Sequence, residues 1–462
     1  MPESPHHHVL NIAVVGTGVA GLSAAWQLSR YHQVTVFEAA GWTGGHANTR
    51  RVTLDGRDTP VDTGFIVYNE RNYPNLVALF RHLDVPTQSS GMSFAVSLDG
   101  GRLEYSSDAP NGLFGQRRNL ARPRFWSMLA DLRRFYAIAP EDLSAGALAG
   151  LSLGQYLSHG NYGRAFVEDH LLPMGAAIWS SSAEDMRAYP AEAFVRFFES
   201  HGLLELRNRP TWRTVTGGSR TYVDRLTASF ADRIHRNLGV AGITRRAGGV
   251  SVTDNHGRVH DFDHAVIATH ADQALRLLAD PTAEERTLLG AIPYTRNRTY
   301  LHKDATQMPR RRSVWASWNY VGEVGAATST GGGTHNGPPQ VSYWLNRLQG
   351  LNAHEDVFIT LNPKRPPTNP VATFEYDHPM FDSGALAAQP ELWSLQGTHN
   401  TWFCGSYFGY GFHEDALQSG LAVAEALGGQ MRPWSLSDPS SRIHVTANIS
   451  ANDMTSYATA AE

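Results

Sequence analysis

The sequence predicts an α/β fold in which a discontinuous nucleotide-binding domain is interleaved with an α+β domain of mixed sheet and helices. Residues 9–38 have the pattern of a strand, a glycine turn, a helix and a second strand that ends in an acid. Residues 215–275 contain a further glycine pair before a helix, followed by short strands, and residues 401–427 add a last strand, glycine turn and helix. Strands that alternate with helices in this way are typical of parallel α/β sheets.

The first glycine turn has the spacing G-x-G-x-x-G, formed by Gly16, Gly18 and Gly21 after an apolar run of strand length. The first glycine permits the sharp turn, the second permits close approach of a pyrophosphate, and the third lets the helix pack near the strand. A helix that begins near Val19 and Ala20 would point its free N–H groups at the phosphates. The turn therefore predicts a Rossmann-like dinucleotide site.

An acid follows at the expected distance. Glu38, with Ala39 after it, ends the second strand about 20 residues beyond the glycines, where a carboxylate can accept hydrogen bonds from ribose hydroxyls. An acid at this place disfavours a 2′-phosphate, so NADP is not expected. The alternative is a glycine-rich turn that only packs a helix on a sheet, but it leaves the spacing of Glu38 unexplained.

Composition limits the class of protein. The chain has 462 residues, of which 42% are hydrophobic and 18% charged, and this is enough for two or three globular domains. A net charge of -4 argues against nucleic acid as the main partner. The single cysteine, Cys404, fits a reducing, cytoplasmic compartment. The sequence has no apolar run long enough for a spanning helix, and its first residues do not have the pattern of a secretory signal, so we expect neither. We expect no metal site.

A second glycine pair, Gly44-Gly45, follows Glu38 closely and suggests a loop that folds back over the same nucleotide. A strand is expected over 58–67. Apolar residues at helical spacing predict a helix over 73–83.

These segments together resemble the opening of the flavin amine oxidase superfamily, which includes monoamine oxidases and phytoene desaturases. The residues that carry the resemblance are VVGTGVAGLSAAWQL, FEA, GWTGGH and VDTGFIVYNERNYPNLVALFRHLDV. The resemblance implies FAD as the resident cofactor. It places six residues along that cofactor: Gly44, Gly45, His46, Gly64, Phe65 and Ile66. His46 departs from the family, which usually has arginine there.

The resemblance also divides the chain into domains. It implies an FAD-binding domain from residues 9–90, 215–275 and 395–432, and a substrate domain from 91–214 and 276–394. The strand near Val240 would give backbone contacts to adenine. Residues 433–462 are polar and are expected to form a flexible tail.

The closing segment, TWFCGSYFGYGFHEDALQSGLAVAEAL, resembles the end of the FAD domain in this family. Gly405 and Ser406 would approach the ribityl–phosphate region. The helix that follows would aim its N-terminus, just before Ala416, at the flavin, where negative charge builds on reduction. Phe412 takes the place of an aromatic cage residue but lacks the usual hydroxyl.

The candidates for catalysis are His413 and Tyr410. His413 either reaches the flavin or substrate, or it is a turn histidine bonded to backbone. Glu414 and Asp415 could attract a cationic amine, but we favour helix capping for both. Lys303 is interpreted as a solvated lysine rather than one beside the flavin, and Cys404 as a buried residue rather than a flavin attachment.

Within the superfamily, the chain resembles most closely bacterial FAD-dependent oxidoreductases whose genes lie near cyclopropane fatty acid synthases. WFCGSYFGYGFHEDALQSG, MPRRRSVWASWNY and YWLNRLQGL carry this resemblance. It implies removal of a hydride from a C–H bond of an apolar substrate, such as an acyl chain or phospholipid, and a lipid-modifying methyltransferase as a partner. The alternatives are an amine oxidase, an FAD-dependent isomerase without net redox, and a non-catalytic scaffold.

Three further stretches leave alternatives open. Residues 112–138 are basic, with interleaved aromatics, and either contact an anionic membrane peripherally or form a solvated helix face with the aromatics in the core; we favour the second. Residues 173–182 either line a chamber or make a tight helix–helix contact. Residues 314–321, 340–348 and 357–363 are aromatic-rich strand candidates whose rings either wall an apolar pocket or fill the core.

Overall fold

The computed structural model describes residues 8–108, 110–205, 209–322, 339–428 and 431–446. Its first sheet is parallel and has five strands. All five lie in the segments that the sequence predicted to alternate between strands and helices. Side by side, these are Ile234–His235, Gln33–Phe37, Asn11–Val15, His264–Ile267 and Thr401–Phe403. The predicted α/β fold class is confirmed.

One helix packs on the middle of this sheet, and a second helix packs against the first. The opening helix, Val19–Leu28, follows the first glycine turn, and the closing helix, His413–Gly428, ends the pattern. A Cβ atom on Gly420 would lie 2.2 Å from the carbonyl oxygen of Ala20, so the two helix backbones touch. Glycine is required there because only hydrogen fits between them.

The second large sheet is mixed and has seven strands, with one parallel pair between Trp318–Gly322 and Phe94–Leu98. Side by side, its strands are Ala372–Pro379, Tyr294–His302, Phe358–Leu361, Gln340–Trp344, Trp318–Gly322, Phe94–Leu98 and Leu103–Ser106. Three smaller sheets are Val240–Arg246 with Gly249–Asp254 and Val259–Phe262, Tyr68–Asn69 with Trp212–Val215 and Thr87–Ser89, and the hairpin Thr49–Leu54 with Arg57–Asp62.

The remaining helices lie mostly between 123 and 200 and beside the two large sheets. Their bounds are Pro74–His82, Pro123–Ser144, Leu153–His159, Arg164–Phe166, the π-helical turn Val167–Leu171, Leu172–Trp179, Ala183–Ala188, Ala191–Ser200, Arg220–Thr227, Ala271–Leu277, Ala283–Gly290, Leu345–Leu348 and Ser383–Ala388. Within the described ranges, none of the helices combines the length and the apolar character that crossing a bilayer requires.

The strand expected over 58–67 ends early, at Asp62. The Asp62 carboxylate turns inward and accepts hydrogen bonds from the backbone N–H of Ser219 at 2.9 Å and from its hydroxyl at 2.7 Å. This buried acid joins the hairpin to the segment that begins the helix Arg220–Thr227. The chain therefore leaves the ladder at 63, and residues 64–66 are free to line a cavity.

The basic stretch 112–138 contains the start of the helix Pro123–Ser144. Phe125 and Phe135 are buried, as a solvated helix with a core face requires, and Arg124 pairs with Asp169 at 2.7 Å. Trp126 differs from them, since 47% of its surface is exposed.

Residues 433–446, the described part of the segment expected to form a flexible tail, contact the rest of the protein. Arg442 Nε lies 2.6 Å from Asp415 Oδ1, and Trp434 stacks on Trp26 with ring centroids 6.1 Å apart. Just before this segment, Arg432 pairs with Glu425 at 2.7 Å. A polar segment can attach firmly when buried carboxylates receive its arginines, which composition does not reveal. Residues 447–462 lie outside the described part, and the predicted domain boundaries stay a prediction.

Candidate functional site

One cavity of about 990 Å³ runs between the parallel sheet and the seven-stranded sheet. Almost every residue predicted to contact the cofactor lines it. These are Gly16, Gly18, Val19, Ala20, Glu38, Ala39, Gly45, His46, Gly64, Phe65, Ile66, Val240, Gly405, Ser406, Phe412, His413 and Ala416, and the catalytic candidate Tyr410 lines it too. Its size is at the upper end of the range of about 300–1,000 Å³ usual for ligand sites. We call the part lined by residues 15–20 and 37–39 the nucleotide end.

Each glycine of the opening turn has a different role. Gly16 has φ +102°, which disfavours any side chain. A Cβ on Gly18 would meet nothing within 4 Å, so the space beside it is open to a ligand. A Cβ on Gly21 would lie 2.1 Å from the carbonyl oxygen of Gly16, so Gly21 does not line the cavity but lets the helix pack against the turn.

Glu38 is fixed at the nucleotide end by backbone donors. Its carboxylate accepts hydrogen bonds from the N–H groups of Thr17 at 3.0 Å and Ala40 at 2.7 Å, and from the Thr17 hydroxyl. Because a carboxylate has about four acceptor positions, one remains for a ribose hydroxyl. Val240 lines the same cavity, and its contact with adenine stays a prediction.

The second glycine pair folds back onto the opening turn. The N–H of Gly44 donates to the Thr17 hydroxyl at 3.2 Å, and a Cβ on Gly45 would lie 3.0 Å from the Cα of Gly18. Gly44 has φ +119° and supports this loop from behind, outside the cavity lining. The second glycine pair therefore packs on the opening turn, with Gly45 as the member that faces the cavity.

Residues 64–66 continue this wall. A Cβ on Gly64 would lie 2.3 Å from the carbonyl oxygen of His46, so glycine is needed for the two segments to touch. Phe65 stacks on His413 with centroids 3.8 Å apart and an angle of 9° between the rings. Phe65 thereby connects the hairpin segment to the start of the closing helix.

His413 is held by a side chain and not by backbone. Its Nε2 shares a hydrogen bond of 2.6 Å with the Tyr222 hydroxyl. Burial lowers the pKa of His413 to about 3, so the ring is neutral at physiological pH. The interpretation of a backbone-bonded turn histidine does not fit this arrangement. A catalytic role for His413 or Tyr410 stays a prediction.

The two acids after His413 act as helix caps. Asp415 accepts from the N–H of Phe412 at 2.7 Å, at the start of the closing helix. Glu414 caps a different helix, since it accepts from the N–H groups of Asn75 at 2.9 Å and Leu76 at 3.0 Å in the first turn of Pro74–His82. Neither acid lines the cavity.

Both lysines of the chain, Lys303 and Lys364, lie outside the cavity lining. Lys303 donates to the carbonyl oxygen of Thr53 at 2.7 Å and pairs with Glu355 at 3.0 Å near the surface. Cys404 is buried in the parallel sheet and also lies away from the lining. The interpretations of a solvated lysine and of a buried cysteine both agree with the structure.

The rest of the cavity is a chamber walled by side chains from distant parts of the chain. From the helical region come Tyr136, His170, Met174, Ile178, Trp179, Phe197 and His201, and from the seven-stranded sheet come Trp318, Tyr343, Ile359, Leu361, Tyr376 and His378. Residues 173–182 satisfy both alternatives, because Met174 and Ile178 face the chamber while a Cβ on Gly175 would meet Met186 at 2.9 Å.

Several residues of the site, namely Tyr376, His270, Tyr294 and His378, were not identified from the sequence. His46 lies against Tyr376, with centroids 4.7 Å apart, and His270 stacks on Tyr294 at 4.6 Å. Burial lowers the pKa values of His46, His270 and His378, the last to about 4, so this group is neutral. His270 lies three residues beyond the end of the strand His264–Ile267, and the end of a parallel strand was the signal that could have found it.

The residues present fit a flavin dinucleotide. The open space at Gly18, the acid at Glu38 and the uncapped start of the opening helix form a phosphate and ribose site. The Nε2 atom of His46 is buried without a partner in the described residues, and it lies on the wall beside that site. It is available to a ligand polar group.

Comparisons with known proteins agree with this geometry. The sequence model of the flavin containing amine oxidoreductases matches residues 19–300. A Mycobacterium tuberculosis protein, AofH, whose name assigns it provisionally to flavin-containing monoamine oxidases, is 28% identical over 256 residues. That alignment spans only about half of each protein, 54% of this chain and 54% of AofH.

Solved structures share the fold across most of the chain. A putrescine oxidase variant and a fatty acid isomerase from P. acnes each superpose with a TM-score of 0.63 and 14% identity, over 91% of this chain and 99% or 98% of theirs. Cyclohexylamine oxidase from Brevibacterium oxydans gives 0.61 and 15%, over 91% of this chain and all of its own. At such identities only the fold is shared. With the match over residues 19–300, the chain belongs to the family of flavin containing amine oxidoreductases, whose cofactor in this fold is FAD.

Proposed function

We propose that this chain is an FAD-dependent oxidoreductase that takes a hydride from a C–H bond of a hydrophobic substrate, such as a fatty-acyl chain. The observation that carries the proposal is the chamber beyond the nucleotide end. Its wall is aromatic and aliphatic, with Met174, Ile178, Phe197 and Phe412 among its members. Apolar walls favour an apolar ligand, because water leaves both surfaces on binding.

The histidines of the chamber are neutral, although Arg209, Arg276 and Asp377 also line the cavity. His378 and His413 are neutral because burial lowers the pKa of the first to about 4 and of the second to about 3. No lysine of the chain lines the cavity. The aromatic cage position, Phe412, also has no hydroxyl. Asp377 is the carboxylate of the chamber wall, and Arg296 lies 3.4 Å from it, so the described residues offer no unpaired chamber carboxylate to a cationic amine.

The chain's own residues would hold and orient the reactants. The opening turn and Glu38 would bind the dinucleotide, and the start of the closing helix would face the flavin ring. Bound FAD supplies the hydride acceptor. The chamber walls would position the substrate carbon and exclude water. His413, tied to Tyr222, would present a fixed neutral ring at that place.

An amine oxidase remains the second candidate, because the family and AofH carry that name. The proposed function and an amine oxidase differ in the substrate that would reduce the flavin, which is an acyl compound for the first and an amine for the second. An isomerase would convert substrate without consuming an acceptor. Peripheral membrane contact and a methyltransferase partner stay predictions of the sequence.

The test is anaerobic mixing of the holoenzyme with a panel of acyl compounds and chain-matched alkylamines, followed by visible flavin absorbance. We expect acyl compounds to bleach the flavin and amines to leave it oxidised. Reduction by the amines alone would contradict the proposal. Illuminated free FAD with the same compounds controls for photoreduction.

A matched pair of variants tests the chamber itself. Met174→Gln places an amide in the chamber wall and is expected to lower kcat/KM for an apolar substrate about tenfold, from the loss of roughly 1.5 kcal/mol of apolar contact. Met431→Gln makes the same change at a residue that is 70% exposed and is expected to leave kcat/KM unchanged. Equal effects of the two variants would mean that the substrate does not touch Met174.

A further inference from the structure

Arg209 is the charged residue of the cavity wall that lacks a matching carboxylate in the part of the chain the structure describes. The charged side chains that line the cavity are Glu38, Arg209, Arg276 and Asp377. Arg276 pairs with Asp272 at 2.7 Å, and Asp377 lies 3.4 Å from Arg296. The Glu38 carboxylate is held by backbone N–H groups.

The contacts of Arg209 leave most of its donors available. Its Nε donates to the backbone carbonyl oxygen of Glu205 at 2.7 Å, which fixes the guanidinium plane. The Glu205 carboxylate is already engaged by Arg71 at 2.9 Å. Arg209 is exposed, so it lies at a mouth of the cavity and not in its interior. The two terminal nitrogens of the guanidinium can therefore receive a ligand.

The chamber wall beside Arg209 is apolar with a few polar atoms. Leu203 and Trp212 line the cavity on the same segment of chain. The positive charge of Arg209 acts on two further lining residues. Burial raises the pKa of Tyr136 while Arg209 opposes that rise, and burial together with Arg209 lowers the pKa of His170 to about 4. The side chains of Tyr136 and His170 are therefore neutral and close enough to Arg209 for its charge to affect their pKa values.

His170 is oriented by the residues behind it. The Tyr105 hydroxyl donates to the carbonyl oxygen of Asp169 at 2.7 Å and also lies 2.9 Å from His170 Nδ1. Because the Tyr105 hydroxyl gives its proton to Asp169, Nδ1 of His170 is the donor in the hydrogen bond between Tyr105 and His170. The Nε2 atom of His170 is then an acceptor, and it has no partner among the described residues. The cavity lining that Arg209 influences thus includes a phenol and an imidazole in addition to its apolar residues.

We propose that Arg209 binds the anionic head group of an amphipathic substrate whose apolar chain fills the chamber. The proposal rests on the proposed function, since it names the substrate class of the same site. A guanidinium can hold two oxygens of a carboxylate or phosphate through parallel N–H groups. The Tyr136 hydroxyl is the second donor. The shared chemistry is an oxyanion at the end of an alkyl chain, either the carboxylate of a free fatty acid or the phosphate of a phospholipid.

The geometry sets the expected size of the effect. A charge-assisted pair contributes more than a neutral hydrogen bond, but an exposed arginine is partly screened by water and salt. We therefore expect about a tenfold preference for the anionic ligand over its neutral ester, and a smaller preference at high salt. A cationic head group would be repelled from the same mouth.

The experiment measures binding to the holoenzyme after its flavin has been reduced with dithionite, through the change in tryptophan fluorescence, so the ligands cannot turn over. The ligands are oleic acid, methyl oleate and oleoyl lysophosphatidic acid, below their aggregation limits. In wild type we expect the two anions to bind about tenfold more tightly than the ester. Arg209→Gln should abolish this preference and leave the ester affinity unchanged. Arg133→Gln, at an exposed arginine outside the cavity lining, should retain it.

The outcomes separate this inference from the proposed function. Equal affinity of acid and ester in wild type, a preference that survives in Arg209→Gln, or no binding of either anion would overturn the role of Arg209. If the ester still reduced the flavin in such a case, the proposed function would stand. If the preference depended on Arg209 but no acyl compound reduced the flavin, the head-group site would stand and the proposed function would fail. Tighter binding of the phosphate than of the carboxylate identifies a phospholipid, and the reverse identifies a free acid.

Discussion

The nucleotide end and the substrate chamber belong to one cavity but are built in different ways. The nucleotide end is backbone from short, nearly continuous stretches, in which glycines let segments approach to atomic contact. The chamber is made of side chains from helices and strands as far apart in sequence as Tyr136 and His378. Local backbone geometry is specified by a few neighbouring residues, whereas the shape of a chamber depends on how distant elements pack.

The largest effects are expected from two substitutions in the opening turn. Gly21→Val forces a side chain onto the carbonyl oxygen of Gly16, where even a Cβ would lie 2.1 Å away, so the opening helix cannot pack and no folded protein is expected. Gly18→Val puts the same side chain into open space beside the cofactor site. This variant should fold and purify colourless.

Circular dichroism and visible flavin absorbance after reconstitution with FAD distinguish the two. Wild type should be folded and yellow, and Gly18→Val folded and colourless. If Gly18→Val retained a normal flavin content, the phosphates would not lie beside this glycine, and the nucleotide end would have to be placed elsewhere in the cavity.

A smaller effect is expected from a substitution of Arg442, which supports two aromatic residues of the cavity wall from behind. Arg442 contacts Asp415 and lies over the rings of Tyr410 and Phe412, with centroid distances of 5.3 and 6.0 Å. Burial raises the pKa of Asp415 to about 6 while Arg442 opposes the rise, so the acid is charged at neutral pH. Arg442→Met leaves that charge buried without its partner and should lower the free energy of unfolding by about 3–5 kcal/mol.

Urea unfolding at neutral pH measures this change. The double variant Arg442→Met with Asp415→Asn is the control, because it removes both charges and should recover part of the loss. A loss below about 1 kcal/mol in the single variant would mean that water reaches Asp415, as at an exposed pair.

Most residues that the sequence predicted for the nucleotide end do line the cavity, and there is a physical reason why the sequence could mark them. Gly16 and Gly44 have positive φ, and Gly45 and Gly64 touch neighbouring backbone, so no other residue type fits and the pattern is visible in the chain. The motif also marked Gly21, which lets the opening helix pack against the turn and does not line the cavity. The closing strand, turn and helix were recognised in the same way.

The chamber and the last described segment could not be predicted to the same depth. Tyr376 and His378 lie on one strand, and nothing in their spacing says that His46, more than 300 residues earlier, will lie against them. From the sequence alone, Arg442 looks like a residue of a polar tail, and only the folded structure shows that it contacts Asp415. Such contacts depend on tertiary packing, and a single sequence carries no local signal for them.

The smallest effect tests whether the chamber is as dry as its histidines indicate. His201 donates from Nδ1 to the carbonyl oxygen of Phe197 at 2.9 Å, stacks on that residue's ring, and has its Nε2 buried without a partner in the described residues. Burial lowers its pKa to about 3, against 6.5 in the unfolded chain. Below pH 6.5 the unfolded chain therefore binds a proton that the folded chain does not.

This difference makes the contribution of His201 to stability complete above pH 6.5 and progressively smaller as the pH falls toward 3. In that window, each buried histidine of this kind lowers the free energy of unfolding by about 1.4 kcal/mol for every unit by which the pH falls. Replacing the ring by His201→Gln should reduce the slope of unfolding free energy against pH by about this amount between roughly pH 6 and 5. The difference between the two proteins at pH 8, where neither state binds the proton, reports packing alone. Parallel slopes for wild type and variant would mean that His201 titrates in the folded protein, and the chamber would then be open to water and suited to more polar substrates than the one proposed.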